Sequence, residues 1–132
     1  MAEFVMKKLL RDAGREAEVH VESAATSTEE LGNPVYPPVR SLLRAHGVDC
    51  SGKFARQLTA SDYGKFDFII GMDDANIRNI LRMCGGDPEG KVSRLLDHTN
   101  TPGEVADPWY SGDFAATWRD IDTGCRALLS EI

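Results

Sequence analysis

A parallel sheet layered between helices, an α/β fold, is predicted from this sequence by three observations. Helical stripes alternate with short strand patterns along the chain. One run, Phe-Asp-Phe-Ile-Ile-Gly-Met at 66–72, is mostly apolar, as a strand buried on both faces is. Glycine and proline punctuate the junctions between these segments.

The elements follow in order. Val5, Met6, Leu9, Leu10 and Ala13 recur at the spacing of one helical face, and Gly14 is placed to end that helix. Val19-His20-Val21-Glu22 alternates apolar with polar and predicts a strand. Residues 23–38 are small and polar, with Gly32-Asn33-Pro34 as a turn signal, and predict a loop. Pro37 and Pro38 open a helix, where a missing N–H costs nothing. Val39, Leu42, Leu43 and His46 form its stripe, and Gly47 stops it. After the strand at 66–72, Asp73 or Asp74 caps a helix whose stripe is Ile77, Ile80, Leu81 and Cys84, ended by Gly85-Gly86. Residues 91–96 predict a short strand. A last helix is expected over about 113–131, with Phe114, Trp118, Ile121, Cys125, Leu128 and Leu129 on one side.

At 132 residues and 14.5 kDa the chain is long enough to bury a core, and one domain over 1–132 is expected. Its net charge of -6 argues against general nucleic-acid or membrane-surface binding, since both want a basic face. No apolar run approaches the roughly 20 residues of a membrane span. The first residues form an amphipathic helix rather than a signal peptide, so a cytoplasmic location is expected. Cys50, Cys84 and Cys125 include no C-x-x-C pair, which predicts reduced thiols, mostly buried. His20, His46 and His98 lack metal-ligand spacing, and each is expected at the surface or a helix end. No Gly-rich nucleotide loop occurs, so with no metal-ligand spacing either, neither metal nor cofactor is expected; a G-x-S-x-G elbow is also absent.

Chemistry concentrates at Ala106-Asp107-Pro108-Trp109-Tyr110. The residue before proline is held extended, so the Asp107 side chain projects in a defined direction. Flat apolar rings beside a carboxylate strip its solvation and raise its pKa, as an acid catalyst needs near neutral pH. The same residues would also serve as a capping or turn Asp-Pro followed by two half-buried aromatics.

Taken with other segments, the chain resembles a low-molecular-weight protein-tyrosine phosphatase along its whole length. The segments are Met1-Ala2-Glu3, Glu22-Ser23-Ala24-Ala25-Thr26-Ser27, Gly32-Asn33-Pro34, His46-Gly47-Val48, Ala55-Arg56-Gln57, residues 66–73 and Asp107-Pro108-Trp109-Tyr110. The resemblance implies a flavodoxin-like parallel sheet and cleavage of phosphotyrosine or a small aryl phosphate through a cysteinyl-phosphate intermediate. By position it implies that Asp107 is the general acid that protonates the phenolate. Trp109 and Tyr110 would be the aromatic wall beside the phenyl ring. Residues 26–31 correspond to a variable substrate-facing loop, which carries an aromatic in some members and Thr28, Glu29 and Glu30 here. Glu29 is its substrate-binding candidate, and acidic residues there should disfavour acidic phosphopeptides.

The resemblance also implies a first strand and a C-x5-R phosphate loop immediately before the segment that starts at Met1. The expectation is that this internal strand, the nucleophilic cysteine and the phosphate-binding arginine lie upstream of residue 1, through a late start codon or an incomplete gene. The chain alone would then be inactive, with a sheet edge open to a second copy. Cys50-Ser51-Gly52-Lys53-Phe54-Ala55-Arg56 is itself a C-x5-R match. It follows a helix exit rather than a strand, and Gln57-Leu58-Thr59-Ala60-Ser61 after it shows no helical stripe, so Arg56 is expected to be structural. Two alternatives stay open: an arsenate reductase of the same fold, which would add a resolving cysteine pair, and a non-catalytic, partner-binding fragment.

Overall fold

A computed structural model describes residues 1–26, 37–47, 56–105 and 113–132. Among these the elements run α1 (Ala2–Asp12), α2 (Pro37–Ala45), α3 (Ala60–Lys65), β1 (Ile69–Gly71), α4 (Asp74–Cys84), β2 (Val92–Arg94), a 3-10 turn (Leu95–His98) and α5 (Phe114–Leu129). β1 and β2 pair in parallel, with Ile69 opposite Val92 and Gly71 opposite Arg94. Helices and a parallel sheet confirm the predicted α/β class.

The two residues at the start of β1 show how the layers form. Successive side chains of a strand point to opposite faces. Ile69 joins a core with Leu58, Tyr63 and Ile80, while Ile70 packs against a second core on the other side. That second core is the larger. It holds Val5, Met6, Leu9 and Leu10 of α1, Leu43 of α2, Leu95, and Ile121, Cys125 and Leu128 of α5. Burying each such side chain stabilises the fold by about 1.5–3 kcal/mol. The stripes predicted for α1 and α5 therefore face one another. The buried face of α5 also takes in Thr117 and Gly124, which the apolar pattern alone does not select. A Cβ on Gly124 would lie 2.5 Å from Leu95 Cγ, so glycine there lets α5 close on the 3-10 turn.

Helix ends follow the local chemistry. Asp73 is the N-cap of α4, its carboxylate accepting the Asn76 N–H at 2.8 Å. Gly85 ends that helix in the left-handed region at φ 76°, which suits a residue without Cβ. Asp113 caps α5 in the same way, accepting the Ala116 N–H at 2.9 Å. His46 lies just past the end of α2 and stacks on Trp118 at 3.8 Å, joining α2 to α5.

Three expectations need correction. Among the described residues, 19–24 form no ladder, and Ala25 bridges in parallel to Gln57. The strand expected at 66–72 is regular only over Ile69–Gly71. The strand expected at 91–96 gives way after Arg94 to the 3-10 turn, because Asp97 reaches back to accept the Arg94 N–H. The stretch after Gln57 shows no helical stripe, as expected, yet a short helix starts there from its caps. Thr59 and Asp62 open α3: the Asp62 carboxylate accepts the Thr59 N–H at 2.8 Å and its hydroxyl at 3.2 Å.

The link from α4 to β2 is tied by one carboxylate. Asp87 accepts the Tyr63 hydroxyl at 2.7 Å and the N–H groups of Lys91 and Val92 at 2.7 and 3.1 Å. The Tyr63 hydroxyl and these N–H groups hold the Asp87 carboxyl below its usual range. β2 is thus delivered in register beside β1.

Candidate functional site

In a parallel α/β sheet, sites lie beyond the carboxyl ends of the strands. The carboxyl end of β1 runs into Met72 and Asp73. The Met72 N–H donates to Asn76 Oδ1 at 2.9 Å, and the Met72 carbonyl accepts the Val105 N–H at 2.9 Å. Val105 is buried in the larger core. The described chain thus reaches the end of β1 at Val105 and resumes at Asp113, the N-cap of α5. Asp107, Trp109 and Tyr110 fall between these anchors, and Glu29 between Thr26 and Pro37; all four lie outside the described residues. So does Cys50.

A cavity of about 960 Å³ lies between the extended residues 19–26 and β1, and it reaches Met72, Asp73 and Asn76. One face is lined by Met6, Ile121 and Leu128, the other by Leu58, Phe66 and Ile80. Met1, Ala2 and Glu3 also line it. The N-cap of α1, Met1, makes no side-chain cap bond, whereas acid side chains cap α4 and α5.

Glu3 is a site residue that sequence reasoning missed. It is 5% exposed, and its carboxylate accepts the Ser23 N–H at 2.8 Å and the Ser23 hydroxyl at 2.7 Å. Lys7 pairs with it at 2.7 Å. This buried acid welds the first turn of α1 to the extended segment. A Glu in a first helical turn is an ordinary sequence feature, so only the long-range Ser23 contact reveals its role.

Arg56 is structural, as expected. Its guanidinium reaches Asp62 at 3.1 Å and Glu22 at 3.3 Å. Burial would raise the Asp62 pKa, but the bonds from Arg56 and Thr59 outweigh it and hold the carboxyl below its usual range. For Glu22 burial is likewise outweighed, by Lys65, His20 and Arg56. Arg94, at the end of β2, is held by Asp97 at 2.9 Å and Asp74 at 3.2 Å.

The two described cysteines are poor nucleophiles. Burial pushes the Cys125 thiol up to about 12, and raises Cys84 too, with Asp62 and Asp87 adding to the effect. A reactive cysteine needs the opposite, an electropositive pocket that stabilises thiolate. Neither histidine beside an acid has catalytic geometry with them. His98 bonds Ser93 Oγ at 2.8 Å and pairs with Glu131, which fastens the 3-10 turn to the end of the chain. His20 is exposed and pairs with Glu22 at 3.4 Å.

The profile of the family described as "Low molecular weight phosphotyrosine protein phosphatase" matches residues 1–132. The chain belongs to this phosphatase family. Among its relatives, low molecular weight protein-tyrosine-phosphatase YfkJ of Bacillus subtilis is 34% identical over 134 residues, covering 100% of this chain and 86% of the relative. The human low molecular weight phosphotyrosine protein phosphatase is 33% identical over 136 residues, covering 99% of this chain and 85% of the relative. The crystal structure of YfkJ superposes with a TM-score of 0.95 over 99% of this chain and 84% of its own, at 34% identity. That of the low molecular weight protein tyrosine phosphatase from Streptococcus pyogenes does so with a TM-score of 0.86 over 99% and 82%, also at 34% identity. Among the described residues no helix is long and apolar enough to cross a membrane.

Proposed function

We propose that this domain hydrolyses phosphotyrosine, or a small aryl phosphate, when combined with a nucleophilic cysteine and a C-x5-R loop from outside residues 1–132. The observation that carries the reading is the family match across all 132 residues. The Val105–Met72 bond supports it, because Asp107 stands two residues beyond an anchor at the carboxyl end of β1. Burial raises the pKa of Cys125 and Cys84, which speaks against either as the nucleophile.

The reaction divides into two displacements. Thiolate sulfur attacks phosphorus and the bond from phosphorus to the phenolic oxygen breaks. Asp107, as the acid, gives its proton to the departing oxygen. Water then gives a proton to the Asp107 carboxylate as it attacks the cysteinyl phosphate, the sulfur–phosphorus bond breaks, thiolate is regenerated, and inorganic phosphate leaves. Trp109 and Tyr110 flank the phenyl ring by apolar contact. Glu29 repels acidic neighbours of the phosphotyrosine. No metal or cofactor takes part, and the setting is cytoplasmic.

The test compares two proteins on a phosphotyrosine peptide. Residues 1–132 alone should show no turnover above background. A chain extended ahead of Met1 by an apolar strand and a C-x5-R loop should turn over, and mutation of the added cysteine should abolish it. Turnover by residues 1–132 that Cys50→Ser removes would move the nucleophile to Cys50. An extended, folded chain inert toward phosphotyrosine would overturn the substrate assignment.

A further inference from the structure

We propose that Ser93, His98 and Glu131 form a proton relay that makes the Ser93 hydroxyl a nucleophile, and that Ser93 is a modification site for one small activated acyl group. The three groups stand in series. Ser93 Oγ lies 2.8 Å from His98 Nε2, and His98 Nδ1 bonds the Glu131 carboxylate. They come from the middle of β2, the end of the 3-10 turn and the segment just beyond α5. A carboxylate only accepts, so Nδ1 carries the proton of the neutral imidazole and Nε2 is left as an acceptor. The Ser93 hydroxyl therefore donates to Nε2. A serine hydroxyl is a weak nucleophile unless such a base stands beside it, with a third group orienting the base. Relays of this kind are defined by geometry and not by position in the sequence, so one does not require a G-x-S-x-G elbow.

The surroundings decide what the relay does. The His98 side chain is 13% exposed, so an imidazolium formed there is shielded from water and relies on the Glu131 charge. Ser93 is half-buried, which leaves its hydroxyl open to a small reagent. In the reaction, Oγ attacks the carbonyl carbon of an activated ester and the hydroxyl proton passes to Nε2. The bond from that carbon to the leaving oxygen breaks, the leaving group departs as an anion, and Nε2 returns its proton to solvent. Ser93 sits opposite Ile70 in the β1–β2 ladder, and its N–H is committed to that ladder. It is therefore not aimed at the oxyanion, and acyl-serine is the product rather than an intermediate in rapid turnover. Fastening the turn to the chain end needs only His98 and Glu131; the hydroxyl at Nε2 is what adds a nucleophile. None of the three groups enters the phosphatase reading, and the inference stands whether or not that reading holds.

The probe is p-nitrophenyl acetate, with each acetylated residue located and timed by peptide mass spectrometry. Ser93 should be acetylated ahead of every other serine. His98→Asn should slow its acetylation by about a hundredfold or more, the usual contribution of a positioned base. Glu131→Ala should slow it as well, and Glu131→Gln, which keeps an acceptor oxygen for the Nδ1 proton, should recover part of the rate. Urea should bring Ser93 down to the rate of the other serines, because the relay exists only in the folded chain. Labelling is measured on residues 1–132 and on the chain extended ahead of Met1 with its added cysteine replaced by alanine, so that poor folding of the shorter chain leaves the test intact. Acetylation of Ser93 no faster than that of the other serines in both proteins would overturn the inference. Fast acetylation that His98→Asn or urea leaves unchanged would overturn it too, since the reactivity would then owe nothing to the relay.

Discussion

Cys125 illustrates how position decides chemistry at a single residue. It is 2% exposed on α5, and a thiolate there would lose nearly all its hydration. With its pKa near 12, almost no thiolate exists at neutral pH. Alkylation by iodoacetamide at pH 8, followed by mass spectrometry, should therefore modify the partly exposed Cys84 well before Cys125, and both equally in denaturant. Equal rates in the folded chain would contradict the packing of α5. Gly124, its neighbour, sets two effects against each other. Alanine is favoured over glycine inside a helix by about 1 kcal/mol. Yet its Cβ would meet Leu95 Cγ at 2.5 Å, and Leu95 is 1% exposed with nowhere to move. Overpacking a full core costs about 1–3 kcal/mol. Gly124→Ala should thus lower stability, seen as an earlier urea midpoint; a later midpoint would mean that Leu95 repacks freely. Asp107 is tested by leaving group. In a catalytically complete, extended chain, Asp107→Asn should slow turnover of a poor leaving group by about two to four orders of magnitude. A good leaving group needs little protonation and should lose much less. Equal losses would make Asp107 a loop-stabilising residue instead.

At the scale of elements, α3 hangs on one carboxylate. Asp62 caps the helix through Thr59 and pairs with Arg56, which also reaches Glu22 beside the cavity. Its folded pKa is lowered, so its contribution is present above the ordinary value of 3.8 and is lost as pH falls through the lower folded value. Arg56 is partly exposed, so the ion pair itself is weak, and the cap carries most of the effect. Asp62→Asn should cost about 1 kcal/mol at pH 7 and should make stability less sensitive to acid below pH 4. Urea melts at pH 7 and pH 3 would check this; an unchanged acid dependence would show that Asp62 does not govern it. The α3 helix also shows a signal that apolar periodicity overlooks. Six residues, Ala-Ser-Asp-Tyr-Gly-Lys, make no stripe, but Thr59 and Asp62 at the capping-box spacing mark a start.

For the molecule as a whole, the open question is how residues 1–132 hold together around the cavity. Ile70, Met72, Val19 and Val21 are only partly buried, and each would gain from a neighbour in the cleft. Several side chains at about 1.5–3 kcal/mol each rival the total stability of a domain, about 5–15 kcal/mol. Residues 1–132 alone should therefore bind a hydrophobic dye and melt broadly, and a strand added ahead of Met1 should sharpen the melt. A sharp, monomeric, dye-free transition that the added strand leaves unchanged would show that the two walls close on each other in solution.

Much of this was legible in the sequence, for a local reason. Helical stripes, the cap at Asp73 or Asp74 and the apolar run at 66–72 each depend on residues a few positions apart. The α/β class and family followed from their order. Asp107, Trp109, Tyr110 and Glu29 are named by that resemblance and remain proposals of role. Tertiary structure alone decided what depends on distant partners. Val19-His20-Val21-Glu22 has a strand's alternation but no ladder among the described residues, because a strand exists only when a neighbour supplies its hydrogen bonds. Residues 91–96 stop being strand at Arg94 because Asp97 captures that N–H. Glu3 became a buried tie only through Ser23, twenty positions away. Burial and pairing are properties of what lies across space, and no spacing along the chain encodes them.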